Sequence, residues 1–239
     1  NEGCSLFPLP MADTSASATI QPAQTGSKLV VNLQSLLDDL FMVLTEKEAM
    51  VIKKRFALAG QGKQTLEKIG KHFKVTRERI RQIEGIALSK LRRTVRTTKL
   101  NDVNELAKSI LRISGGVMRE DDLVSQVLKR MSNATDLDGA VLRLSFSIDT
   151  EMSTSGHSGT FVPFWRLDSL AMEDISVIID NVVKILKKRK SCMKREEIVS
   201  SVQVLNLFKD RIPSKELITS SLSIDERLRE IDEGWGLTE

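Results

Sequence analysis

Within the ten residues from Val75 to Glu84, VTRERIRQIE, stand three arginines, two glutamates and a glutamine, with Ile80 and Ile83 set between them. On a helix turning about 100° per residue, Ile80, Ile83, Ala87 and Leu91 gather on one side. Arg77, Glu78, Arg81, Gln82 and Gly85 gather on another, toward the N-terminal half. This second set suits the edges of base pairs. Arginine bonds guanine O6 and N7 through two parallel hydrogen bonds, glutamate accepts from the cytosine amine, and glutamine pairs with adenine. Arg77, Glu78 and Gln82 are therefore the candidate base readers, and Gly85 leaves room for a groove wall. Lys54, Arg55, Lys71, Arg92, Arg93 and Arg96 are candidates for flanking phosphates, which add affinity without sequence information. A solvated helix face laced by i,i+4 pairs also explains a run of charge. It accounts less well for 16 Lys+Arg against 5 Asp+Glu between residues 46 and 100, a net of +11. Residues 101–239 carry 19 against 23, a net of −4, so one segment alone is built for a polyanion.

Positioning those side chains requires a short helical framework. Leu33, Leu36, Leu37, Leu40 and Leu44 recur every three or four residues and predict a first amphipathic helix. Thr45 and Glu48 form a capping box that opens a second, carrying Ala49, Ile52 and Phe56 inward. After the loop at Ala59 to Gln64, Thr65 caps a third helix with Leu66, Ile69 and Phe73 inward. Lys74 and Val75 make a tight turn, and Thr76 caps the helix that carries the charged face. Two short helices joined by such a turn predict a helix-turn-helix.

Farther on the chain repeats itself. ILRISGGVMREDDLVSQV, from Ile110, aligns with ILKKRKSCMKREEIVSSV, from Ile185, at an offset of 75, and VLRLSF at Val141 parallels LITSSL at Leu217. Each copy closes on Trp-x-Leu, at Trp165 and at Trp235. Two units of about three helices plus a short apolar strand or hairpin predict winged helices. The fold class expected is mainly α, a helix-turn-helix domain plus two winged-helix-like repeats with small β-wings. The boundaries expected are a disordered tail over 1–28, then 29–100, 101–170 and 171–239. Trp165 and Trp235 are expected as core anchors, and Cys192, aligned with Val117, as a small buried hydrophobe. The acidic balance of the repeats favours a protein partner over nucleic acid, although Lys184, Lys187, Lys188, Arg189 and Lys190 form a local basic patch.

Catalysis finds no support. His72 and His157 sit in no nucleophile or metal pattern, Cys4 and Cys192 are too few for a disulfide framework, and no metal or cofactor is expected. His72 reads as a surface or phosphate contact and His157 as a loop residue. GQGKQT at Gly60 lacks the first glycine and the Ser or Thr of a phosphate loop, with Ala57 and Gln64 in their places. No run of 18 apolar residues predicts a membrane span, so a cytoplasmic protein is expected.

LTEKEAMVIKKRF, TLEKIG and VTRERIRQIEGIALSKLRR, together spanning Leu44 to Arg93, closely resemble region 4 of the housekeeping class of bacterial sigma factors. That resemblance implies double-stranded promoter DNA with a −35 element and the flap of the RNA polymerase core as partners, in a bacterial nucleoid. It implies base contacts by Arg77, Glu78 and Gln82, phosphate contacts by Arg55 and Arg81, and backbone amides at Thr65 and Leu66 turned to the DNA. Ile86 and Gly85 stand where the family usually has Lys and Ala. No stretch resembles the aromatic-rich region that melts the −10 element, so unless an upstream segment holds that part the chain is expected not to open a promoter alone. An accessory or inhibitory protein that holds the polymerase without reading DNA is the competing expectation. The repeats, through LREIDEGWGLTE, are similar to helix-turn-helix modules related to the RNA polymerase delta subunit.

Overall fold

The computed structural model describes residues 32–58, 60, 62–131, 138–156, 159–209, 211–231 and 234–238. The expected N-terminal tail, Cys4 and His157 lie outside them.

The N-terminal part holds α1 (Leu33–Phe41), α2 (Glu46–Arg55), α3 (Leu66–Phe73) and α4 (Arg77–Val95). The predicted caps at Thr65 and Thr76 form, and Asn32, not foreseen, caps α1; each accepts from an amide three residues on. Thr45 and Glu48 complete their reciprocal box, Glu48 accepting the Thr45 amide at 2.9 Å. The turn between α3 and α4 runs through Lys74 in the left-handed region (φ 52°), and it closes tightly because Gly70 has no side chain. A Cβ there would lie 2.7 Å from the Val75 carbonyl oxygen. Val51, Ile69, Ile80 and Ile83 form a small core that braces α3 against α4.

Two winged helices follow. The first comprises α5 (Leu100–Ile113), β1 (Val117–Arg119), α6 (Glu120–Lys129), α7 (Asp138–Ile148), β2 (Met152–Ser155) and β3 (Phe164–Leu167). Its antiparallel sheet has the order β1-β3-β2, with Met118 opposite Trp165. The second comprises α8 (Met172–Arg189), α9 (Arg195–Val204), α10 (Lys215–Ser223), β4 (Leu228–Ile231) and β5 (Gly234–Leu237). A bridge between Met193 and Trp235 repeats the Met118 pairing, so the aligned Met and closing Trp of each copy meet in space. Trp165 (1% exposed) and Trp235 (5%) are core anchors, as expected. Cys192 departs from its expected burial: it is only half-buried, its Sγ pressed against Gly236.

The units are packed in series. One core joins Leu33, Leu37 and Leu40 of α1 and Ala87 and Leu91 of α4 to Leu111, Leu142, Phe146 and Trp165 of the first winged helix. The second core draws Val117, Phe164 and Leu170 of the first winged helix into Ile178, Ile218 and Trp235 of the second. Gly115 (φ 78°) permits that second junction, because a Cβ there would fall 2.3 Å from the Leu217 amide nitrogen. The segment before β3 completes it: Val162 donates to the Ile224 carbonyl at 3.0 Å, and the Glu226 amide to that of Thr160 at 2.7 Å.

Candidate nucleic-acid interface

α4 is the centre of the candidate site. Ile80, Ile83, Ala87, Leu91 and Val95 are all buried, which turns the opposite face of its first half outward. Arg77, Glu78, Arg81 and Gln82 are all exposed there.

The exposed side chains are partly pre-arranged. Arg81 grips Glu78 with both arms of its fork, Nε donating at 2.8 Å and Nη2 at 2.7 Å. That fork holds the Glu78 carboxyl below the usual carboxylate range, so it stays an ionised acceptor at neutral pH. Gln82 accepts from Arg79 Nη1 at 3.0 Å. Arg79 was absent from the residues predicted for the site, although its i,i+3 spacing from Gln82 was the available signal. Arg77 makes no hydrogen bond or ion pair among the described residues, and its charge adds to the lowering of the Glu78 carboxyl.

The predicted phosphate set divides. Arg55 is held inside the fold: Nε donates to Glu84 Oε1 at 3.0 Å and Nη1 to the Gln64 carbonyl at 2.9 Å. It thereby ties α2 and the loop before α3 to α4. Arg92 donates to the Ser147 carbonyl at 3.3 Å and Arg96 to Thr150 Oγ1 at 3.0 Å, so both reach the first winged helix. Lys71 pairs with Glu67 at the surface, at 3.2 Å. Lys54 is half-buried and Arg93 exposed. Thr65 spends its hydroxyl on the Lys68 amide at 3.2 Å, and Leu66 opens α3, whose first-turn amides have no partner within the helix. His72 is exposed, its ring against Phe73.

Lys90 completes the framework. Its Nζ donates to both Glu48 carboxylate oxygens, at 2.9 and 2.8 Å, and with the Thr45 amide this keeps the Glu48 carboxyl below its ordinary range. Neither Arg55 with Glu84 nor Glu48 with Lys90 leaves a local pattern, because the partners stand 29 and 42 residues apart. The result is a cationic face with several donors and an ionised acceptor on a braced helix, a geometry suited to a polyanion bearing hydrogen-bonding edges. Among the described residues, no group of three or more His, Cys, Asp and Glu could hold a metal, and no helix is long and apolar enough to cross a membrane.

Residues 40–93 match the family model described as Sigma-70, region 4. This stretch begins four residues before the resemblance traced from Leu44. The chain is 49% identical over 73 residues to RNA polymerase sigma factor SigA of Bacillus sp., covering 30% of this chain and 19% of that protein. It is likewise 49% identical over 70 residues to RNA polymerase sigma factor SigA of Lactococcus lactis subsp. lactis (strain IL1403), covering 29% of this chain and 18% of that one. The chain thus spans about a fifth of the length of the curated relatives it matches.

Proposed function

We propose that this protein is a sequence-specific DNA-binding transcription factor that reads a promoter −35-like element and acts with RNA polymerase. The observation that carries the reading is the exposed first half of α4, presenting Arg77, Glu78 and Gln82 from a capped helix-turn-helix within the stretch similar to sigma factor region 4. Insertion of a second helix, N-terminal end first, into the major groove is the docking geometry of such modules. Arg93, Lys71 and the α3 first turn would flank it on phosphates. The polymerase flap would be the protein partner, in a bacterial cytoplasm at the nucleoid. No step in this role is catalytic.

In this reading residues 29–100 form the DNA-reading unit, and 101–170 and 171–239 serve protein contacts. What supports that division of labour is the third helix of the first repeat. In winged helices this element commonly enters a groove, yet α7 buries Val141, Leu142, Leu144 and Phe146, and Arg143 is tied to Glu120 (2.7 Å) and Asp121 (3.0 Å).

The test is a titration of fluorescent duplexes, one with a TTGACA-like hexamer and one scrambled, at two salt concentrations, with and without core polymerase. A preference for the hexamer that vanishes in Arg77→Ala is expected. Equal binding to both duplexes, even with polymerase present, would sink base reading and leave an accessory protein that holds the polymerase.

A further inference from the structure

The two winged helices enclose a cleft that the DNA-reading role does not use. It measures about 540 Å³ and is walled on one side by Arg119 of β1 and by Asp122 and Lys129 of α6. Thr219 and Ser220 of α10, Arg229 of β4 and Trp235 of β5 form much of the other side. That volume falls in the range of small-molecule sites.

Its chemistry is one-sided. Of six charged residues in the lining, four are cationic, and Arg195 and Glu230 neutralise each other at 2.7 Å. Arg119, Lys129 and Arg229 then face Asp122 alone, and none of the three cations has a side-chain hydrogen bond or ion pair among the described residues.

From this arrangement we propose that the cleft between the two winged helices binds an oligophosphate, a compact chain of two or three phosphoryl groups, through Arg119, Lys129 and Arg229. Phosphoryl groups offer acceptor oxygens in several directions at once, which matches donors converging from two walls. Arginine forks favour that geometry. An acidic peptide spreads its charge along an extended backbone. The Trp235 indole is too deeply buried to stack on a base, so free inorganic triphosphate and the triphosphate tail of a nucleotide should be held alike.

Calorimetric titration of the full chain with sodium triphosphate tests this, with ATP, GTP and pentaglutamate as separate arms. Expected is one saturable site per chain, with ATP and GTP matching triphosphate within a few-fold and pentaglutamate far weaker. Arg119→Gln and Arg229→Gln should each weaken binding by roughly tenfold, the scale of one charge-assisted contact. Arg77→Ala on the DNA-reading face should leave it unchanged. The substituted arginines are exposed and unpaired, so unaltered thermal transitions should accompany the loss. No saturable binding up to about 1 mM would overturn the proposal. So would equal affinity for pentaglutamate, indifference to both arginine substitutions, or abolition by Arg77→Ala. The site stands independently of promoter reading, and the Arg77→Ala arm separates the two.

Discussion

Arg77 and Arg55 look alike in the sequence, yet the fold gives them different work. Arg77 lies open at the start of α4, and its substitution by alanine should cost roughly 1–3 kcal/mol of hexamer affinity and relax one base position in a binding selection. Arg93→Ala should instead weaken all sequences alike and reduce the slope of log affinity against log salt by about one. Arg55→Ala should act mainly on stability, because it removes the ion-pair partner of Glu84, 15% exposed. A loss of about 1–3 kcal/mol in denaturant unfolding is expected. Glu48 adds a pH dependence. Its folded pKa lies below the unfolded value of about 4.3, so its contribution is complete above that value and is lost as pH falls through the lowered one. Glu48→Gln should therefore flatten the acid limb of stability against pH. The outward set on α4 and the buried isoleucines were legible in the sequence because helical periodicity sorts them. The partners of Arg55, Arg92 and Arg96 were not, since charge alone does not say whether a surface arginine faces solvent or a distant segment.

At the scale of elements, the turn between α3 and α4 carries the interface. Gly70→Ala should push the Val75 carbonyl away and misalign the two helices, lowering the thermal midpoint and hexamer binding together. Caps and turns could be read directly: Thr45, Thr65 and Thr76 all sit at helix starts. The β1 strand was hidden, because three residues have no period to detect and acquire their pairing only from β3. Lys108 on α5 shows what else stays hidden. It is 3% exposed, with Glu105 at 2.6 Å, Glu151 at 3.3 Å and Asp149 at 3.6 Å. Burial opposes its charge, but those carboxylates outweigh it and raise its pKa. Its contribution is whole below about 10.4 and disappears as pH rises through the elevated value. Lys108→Met should remove that alkaline limb from a stability profile.

For the whole molecule, the serial cores make the repeats part of the DNA-reading unit's support. A fragment ending at Lys99 would uncover Leu33, Leu37, Leu40 and Leu91, which the intact chain buries. It should melt well below the full chain and bind an apolar dye. Trp165 and Trp235 each report on a different core, and Trp165→Ala should cost about 3–5 kcal/mol. The internal repeat was visible from its aligned Met and Trp, whereas the junctions between units were not, because Gly115 reveals its purpose only once Leu217 is beside it.

The packing of α1 against α7 also sets a clock. A nascent chain emerges from its N-terminal side, so α1 leaves the ribosome about a hundred residues before the helix that covers it. At about 5–20 residues per second that gap lasts roughly 5–20 s. Through that interval Leu33, Leu37 and Leu40 have at most α4 to pack against, and a chaperone that recognises short apolar helices would find them there. Slow codons before residue 148 should lengthen this exposure and lower the yield of folded protein.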